Sequence, residues 1–153
     1  MRLSSLADYA VVMMSACARH CGHAKVNATT LSAETRIPLP TAQKLVSKLS
    51  AAGLLESTRG VGGGVRLARP PAAISLADIV EAVEGPIEMT ACLGHDRQDC
   101  GLESCCQVRP HMGVVNGAVR DALASLSLAA LSRAPAKAGA LARNAPVFAG
   151  AQS

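Results

Sequence analysis

The sequence predicts an α+β fold, a winged helix-turn-helix followed by a long C-terminal helix. Three stretches carry that prediction. Residues 31–51 hold two short helical patterns split by Pro38 and Pro40. "LLESTRGVGGGVRLAR" from Leu54 has two short strand-like runs around a glycine cluster. From near Val108 an apolar stripe repeats at three and four residues.

Each element has its own reason. In residues 3–21, Leu3, Leu6, Ala7, Ala10, Val11, Met14, Cys17 and Ala18 fall at helical spacing, and Gly22 ends the pattern. The first twenty residues have a basic residue, an apolar run and a small-residue end, as a signal peptide would. Asp8 interrupts the run and the apolar residues are periodic, so an amphipathic helix is expected instead. Asn27, Thr29 or Thr30 can cap a short helix over "LSAETR". Pro40 suits the first turn of the next helix, where its missing N–H costs nothing. There Ala42, Leu45, Val46 and Leu49 form a buried face, and Gly53 closes the helix. Leu54–Thr58 and Val65–Ala68 pair as a hairpin with Arg59 at its tip. "ISLADIVEAVEG" (74–85) is a further helix capped by Ser75.

The last helix presents Met112, Val115, Val119, Ala122, Leu123 and Leu126 as a nearly coiled-coil stripe. It runs past the globular part, so its expected occupant is a second copy of the chain. The expected organisation is a DNA-binding domain over 1–85, a cysteine-rich loop over 86–107, a dimerisation helix region over 108–132 and a disordered tail over 133–153. The tail is rich in Ala, Gly and Pro without a period.

Composition narrows the partners. Half of the 153 residues are hydrophobic, with one Tyr, one Phe and no Trp. The core must therefore be aliphatic, and base stacking on single strands is disfavoured. A net charge of +4 is compatible with double-stranded DNA. Thr41, Gln43, Lys44, Ser47 and Lys48 lie off the apolar face of the second helix of the pair. Lysines there would hold phosphates, Gln43 could read adenine, and Arg59 could enter a minor groove. Lysines on a solvated face prove nothing alone, but the adjoining hairpin turns the balance toward DNA. The glycine cluster is no phosphate loop, since no Gly-Lys-Ser/Thr follows it. No Ser/His/Asp set or nucleotide loop suggests an enzyme, and no small-molecule substrate is expected. No apolar run nears the ~20 residues of a membrane span. A cytoplasmic chain is expected, in which clustered cysteines more often bind metal than pair as disulfides.

Six cysteines are present: Cys17, Cys21, Cys92, Cys100, Cys105 and Cys106. Cys17 and Cys21 lie on the apolar stripe of the first helix and are expected in the core; His20 and His23 are expected in solvent. The other four crowd into "ACLGHDRQDCGLESCCQVRPHM" (91–112) with His95 and His111. The segment lacks the paired C-x-x-C of structural zinc, although a zinc knuckle or disulfides remain alternatives. Cys106 stands just before the last helix, whose positive N-terminus favours a thiolate ligand.

"MRLSSLADYAV", "GLLESTRGVGGGVRLAR", "ISLADIVEAVEG" and the cysteine loop together resemble the IscR/NsrR class of bacterial winged-helix regulators, from Met1 to about Leu131. "CCQVRPHMGVVNGAVRDALASLSLAAL" is most similar to the branch that regulates the SUF iron–sulfur assembly system. The resemblance implies a homodimer, a palindromic operator and an iron–sulfur cluster in the loop. Cys92, Cys100 and Cys106, separated by seven and five residues, match the three cysteines of the class, and the match selects Cys106 over Cys105. Where relatives place a histidine three residues beyond the third cysteine, this chain has Arg109, which cannot be a ligand. His111 is the first choice for the fourth ligand, with Cys105, His95 and Asp8 of the partner subunit as alternatives. The resemblance favours a 2Fe–2S cluster over the 4Fe–4S cluster of the nitric-oxide-sensing branch. The function expected is transcription regulation by cluster or redox status. A nitric oxide or thiol sensor of the same fold, or a non-DNA iron–sulfur carrier, are the alternatives.

Overall fold

The computed structural model describes residues 3–20, 25–90 and 106–133. Helix α1 spans Ser5–Arg19, capped by Ser4, whose side chain accepts from the amide of Ala7. Helix α2 (Ala28–Thr35) is capped by Asn27, one of the three expected candidates. Helix α3 (Leu39–Ala51) has Pro40 in its first turn, and Gly53 beyond its end takes φ +71°, as expected of a helix stop. Strands β1 (Leu55–Thr58) and β2 (Gly64–Leu67) pair antiparallel, Leu55 opposite Leu67. After a 3-10 turn at Pro71–Ala73 come α4 (Leu76–Glu84), α5 (Arg109–Ala124) and α6 (Leu128–Leu131). Helices with one two-stranded antiparallel sheet make the α+β winged-helix fold that the sequence predicts. Among the described residues, no helix is long and apolar enough to cross a membrane.

The core is aliphatic and thioether. Met13, Met14, Leu31, Leu45, Leu49, Leu54, Ile74, Ile79 and Leu128 are fully buried, and Tyr9 stays largely outside. Cys17 is buried in the same cluster, as its place on the stripe implied; Cys21 lies outside the described residues. The stripe itself is corrected in two places. Met13 and Ala16 are buried although periodicity passed over them, and Leu3 is exposed. Helix α1 contacts α2, α4 and α6, so more than one of its faces is covered. His20, expected in solvent, lies 2.8 Å from Glu34. The Glu34 carboxyl is held below the usual carboxylate range, first by His20 and then by Arg19. This fastens the end of α1 to α2.

Helix α4 starts with a reciprocal cap. The Ser75 hydroxyl accepts from the Asp78 amide at 3.1 Å, and the Ser75 amide donates to the Asp78 carboxylate at 2.8 Å. Ser75→Ala is expected to cost about 1 kcal/mol. Thermal unfolding should show this as a drop of roughly 2–4 °C.

The last predicted helix departs most from expectation. It does not continue to 132. It stops at Ala124, and the chain folds back beside the residues that precede α4. The Leu76 amide donates to the Leu126 carbonyl at 2.8 Å, and the Leu128 amide to the Ile74 carbonyl at 2.7 Å. The fold-back delivers Leu128 to the core. The serines explain the stop. The Ser125 hydroxyl bonds the Ala122 carbonyl, and Ser127 caps α6, both competing with helix continuation. Leu126 is therefore a turn residue and no member of a continuous helical stripe.

Candidate functional site

Helix α3 has a polar side and packs against strand β1 of the hairpin. At ~100° per residue, Ala42, Leu45 and Leu49 cluster on one side of α3, and all three are buried. Gln43, Lys44 and Ser47 are exposed, and Thr41 is half-buried. No ion pair among the described residues takes up Lys44 or Arg59. Lys48 is different. Its ammonium donates to the Val83 carbonyl at 2.8 Å, so the structure turns it toward α4.

The hairpin is braced from outside itself. Val26 and Val65 exchange backbone hydrogen bonds of 3.1 and 2.7 Å, giving β2 a neighbour on its second edge. Lys25 donates to the Thr58 hydroxyl at 2.9 Å. Arg66 is paired with Glu56 across the strands, leaving Arg59 as the cation at the tip. Val61, which sequence reasoning passed over, stands fully exposed beside it. The available signal was an apolar residue with a glycine on either side.

The tip glycines are required for different reasons. Gly60 and Gly62 take φ of +96° and +76°. At Gly63 an added Cβ would meet the Thr58 carbonyl oxygen at 2.4 Å and the Gly60 oxygen at 2.8 Å. Both obstacles are backbone and cannot step aside. Gly63→Ala is expected to distort the tip while sparing the helical core. DNA affinity should fall at least tenfold with little change in the helical circular dichroism. Wild-type affinity would show that the tip does not touch DNA.

Helix α5 leans on α4 along one side. Arg120 donates to both carboxylate oxygens of Glu81 at 2.9 and 3.2 Å. This hydrogen-bonded carboxylate raises the guanidinium pKa above its ordinary value. The Met89 amide donates to the Asn116 side chain at 2.9 Å. None of the residues of α5 is buried. Met112, Val119 and Leu123 are half-buried, Val115 is exposed, and Val114, outside the expected stripe, is 74% exposed.

Cys106 is half-buried two residues ahead of Val108, the residue that opens α5, and His111 is exposed in the first turn of that helix. Asp8 is exposed in the first turn of α1. Among the described residues, no three His, Cys, Asp or Glu side chains gather to hold a metal ion. Cys92, Cys100, Cys105 and His95 lie outside the described residues, as does the segment from 134 that was expected to be a tail. The donor chemistry still fits an iron–sulfur group. Cys106 is one soft donor at the root of α5, and the segment running into it carries three more thiols in the sequence.

Residues 3–134 match the family described as "Rrf2: Iron-dependent Transcriptional regulator". The chain belongs to the Rrf2 family. Transcription regulators of this family bind DNA. Among its relatives, the HTH-type transcriptional regulator IscR of Vibrio cholerae is 34% identical over 131 residues, covering 86% of this chain and 75% of its own. An HTH-type transcriptional regulator of Neisseria meningitidis is 33% identical over 128 residues, covering 84% and 85%. Among solved structures, CymR, the global cysteine regulator of B. subtilis, superposes with a TM-score of 0.66 at 27% identity, covering 86% and 96%. IscR of T. potens gives 0.65 at 26%, covering 86% and 85%. These relatives are regulators and not enzymes, so this chain is an IscR-like Rrf2 transcriptional regulator.

Proposed function

We propose that this regulator is a homodimer that binds a palindromic operator and senses iron–sulfur status, controlling cluster-assembly genes of the SUF type. One observation carries the reading. Cys106 sits where the cysteine-rich segment enters α5, so the candidate cysteine ligands lie on the stretch of chain that joins α4 to α5. The likeness to IscR supports the iron–sulfur part of the reading.

Cys92, Cys100 and Cys106 would hold the cluster, with His111 as first choice for the fourth ligand and Cys105, His95 or Asp8 of the partner subunit as alternatives. A bound cluster supplies a centre whose charge and ligand demand change with redox state and iron supply. The chain's own part is mechanical. Gathering the three cysteines fixes the path from Gly85 to α5, and releasing them frees it. Helix α5 would join the two copies through Val115, Met112, Val119 and Leu123, with Leu126 at its end. A change in that path then alters the spacing of the two α3 helices against major grooves ~34 Å apart. Moving the dimer from 1:99 to 99:1 between binding states takes ~5.5 kcal/mol of differential stability.

Anaerobic purification with iron and acid-labile sulfide counts tests the cofactor. About two of each per chain would support a 2Fe–2S cluster and about four a 4Fe–4S cluster. Zinc without sulfide, or no metal, would overturn it. The likeness to a global cysteine regulator gives a second reading, a thiol sensor without a cluster, which the metal-free outcome would favour. On the DNA side, Gln43→Ala should lose about 1–3 kcal/mol of base discrimination at unchanged salt dependence. Lys44→Ala should weaken all sequences alike and lower the salt slope by about 0.9. Binding unchanged in both variants would remove α3 as the reader.

A further inference from the structure

The contact between Lys48 and the end of α4 has no part in the site described above. Val83 lies in the last turn of α4, where carbonyls have no partner within the helix. Lys48 supplies one, with a 2.8 Å bond in a partly buried setting. A cation there also meets the negative end of the helix dipole. Two residues further on, Gly85 takes φ +91° and turns the chain toward residues 86–90, which lead into the cysteine-rich segment. On α3, Lys48 is about 40° around the helix from Lys44 at ~100° per residue. It thus lies on the flank between the exposed face and α4, and α3 packs against α4.

We propose that Lys48 is a positioning residue for DNA reading. It fixes the C-terminal half of α3 to the end of α4 and is not a phosphate ligand. The angle at which Gln43 and Lys44 are presented is then set by the helix end from which the cysteine-rich segment departs. This inference rests on DNA binding by the family and is independent of which group, if any, the cysteines hold.

The test uses the full chain and Lys48→Met, which keeps the apolar stem and removes the ammonium. The probes are a duplex enriched by the wild type from a random-sequence pool, and a scrambled duplex of equal length. Lys48→Met is expected to bind the enriched duplex about tenfold more weakly and the scrambled one nearly as well, with an unchanged slope of log K against log salt. Without DNA, hydrogen exchange of the amides in the last turn of α4 should speed up. Equal losses on both duplexes with a slope lower by about 0.9 would make Lys48 a phosphate ligand and overturn the proposal. So would unchanged exchange in α4, or a lowered melting temperature with affinity for both duplexes intact. A wild type that enriches no duplex would overturn the DNA-reading role itself. An iron count of zero would sink the cluster reading alone.

Discussion

The combined variant Cys92→Ala, Cys100→Ala and Cys106→Ala, purified without oxygen, is expected to be colourless and to contain neither iron nor sulfide. The effect should be complete because thiolates are the ligands that iron–sulfur chemistry requires, and the variant leaves Cys105 as the one thiol of the 91–112 segment. The fold should survive. The described core is built from residues between Ala10 and Val83 together with Leu128, and the only one of the three cysteines among the described residues, Cys106, is absent from it. Unchanged melting of the cluster-free form would confirm that separation. A chromophore that persists in the triple variant would move the ligands to Cys105 and the histidines, and with them the proposed site.

Leu45→Ala is expected to have the largest effect on stability. Leu45 is fully buried on the face of α3 that meets the helix-pair core, beside Leu31 and Leu49. Removing its three outer carbons sacrifices burial and leaves a cavity that rigid neighbours cannot fill, at a cost of about 2–5 kcal/mol. At roughly 2–4 °C per kcal/mol, calorimetry should record a fall of about 10 °C. Since the same residue sets the position of the exposed Gln43 and Lys44, DNA binding should weaken near the new melting temperature and recover well below it. A loss smaller than 1 kcal/mol would mean that α3 is not anchored through this face.

The fold was legible wherever a local rule dictates local structure. Asn27 and Ser75 cap helices because a side-chain oxygen satisfies nearby amides, whatever lies elsewhere. Pro40 and Gly53 delimit α3, and the glycine cluster turns the hairpin, by backbone sterics alone. The exposed face of α3 follows from its period, since Ala42, Leu45 and Leu49 leave Gln43, Lys44 and Ser47 outside. The candidate cysteine ligands were named through the resemblance to the IscR/NsrR class, and of Cys92, Cys100 and Cys106 the described residues include Cys106.

What sequence alone determined is therefore the order of elements, their caps and turns, and the chemistry displayed on α3, at the wing tip and in the cysteine segment. Tertiary structure decided which neighbours those surfaces meet. Met13 and Ala16 are buried because α1 is enclosed by more than one helix, and a single-stripe reading assumes one buried face. Lys48 bonds Val83, 35 residues away, a pairing that depends on how α3 crosses α4. The stripe expected to run through Leu126 breaks because residues 126–128 find backbone partners at 74–76, and those partners exist only once α4 is in place. Periodicity records how a segment would bury itself, but long-range hydrogen bonds and helix crossings depend on distances that no local pattern encodes.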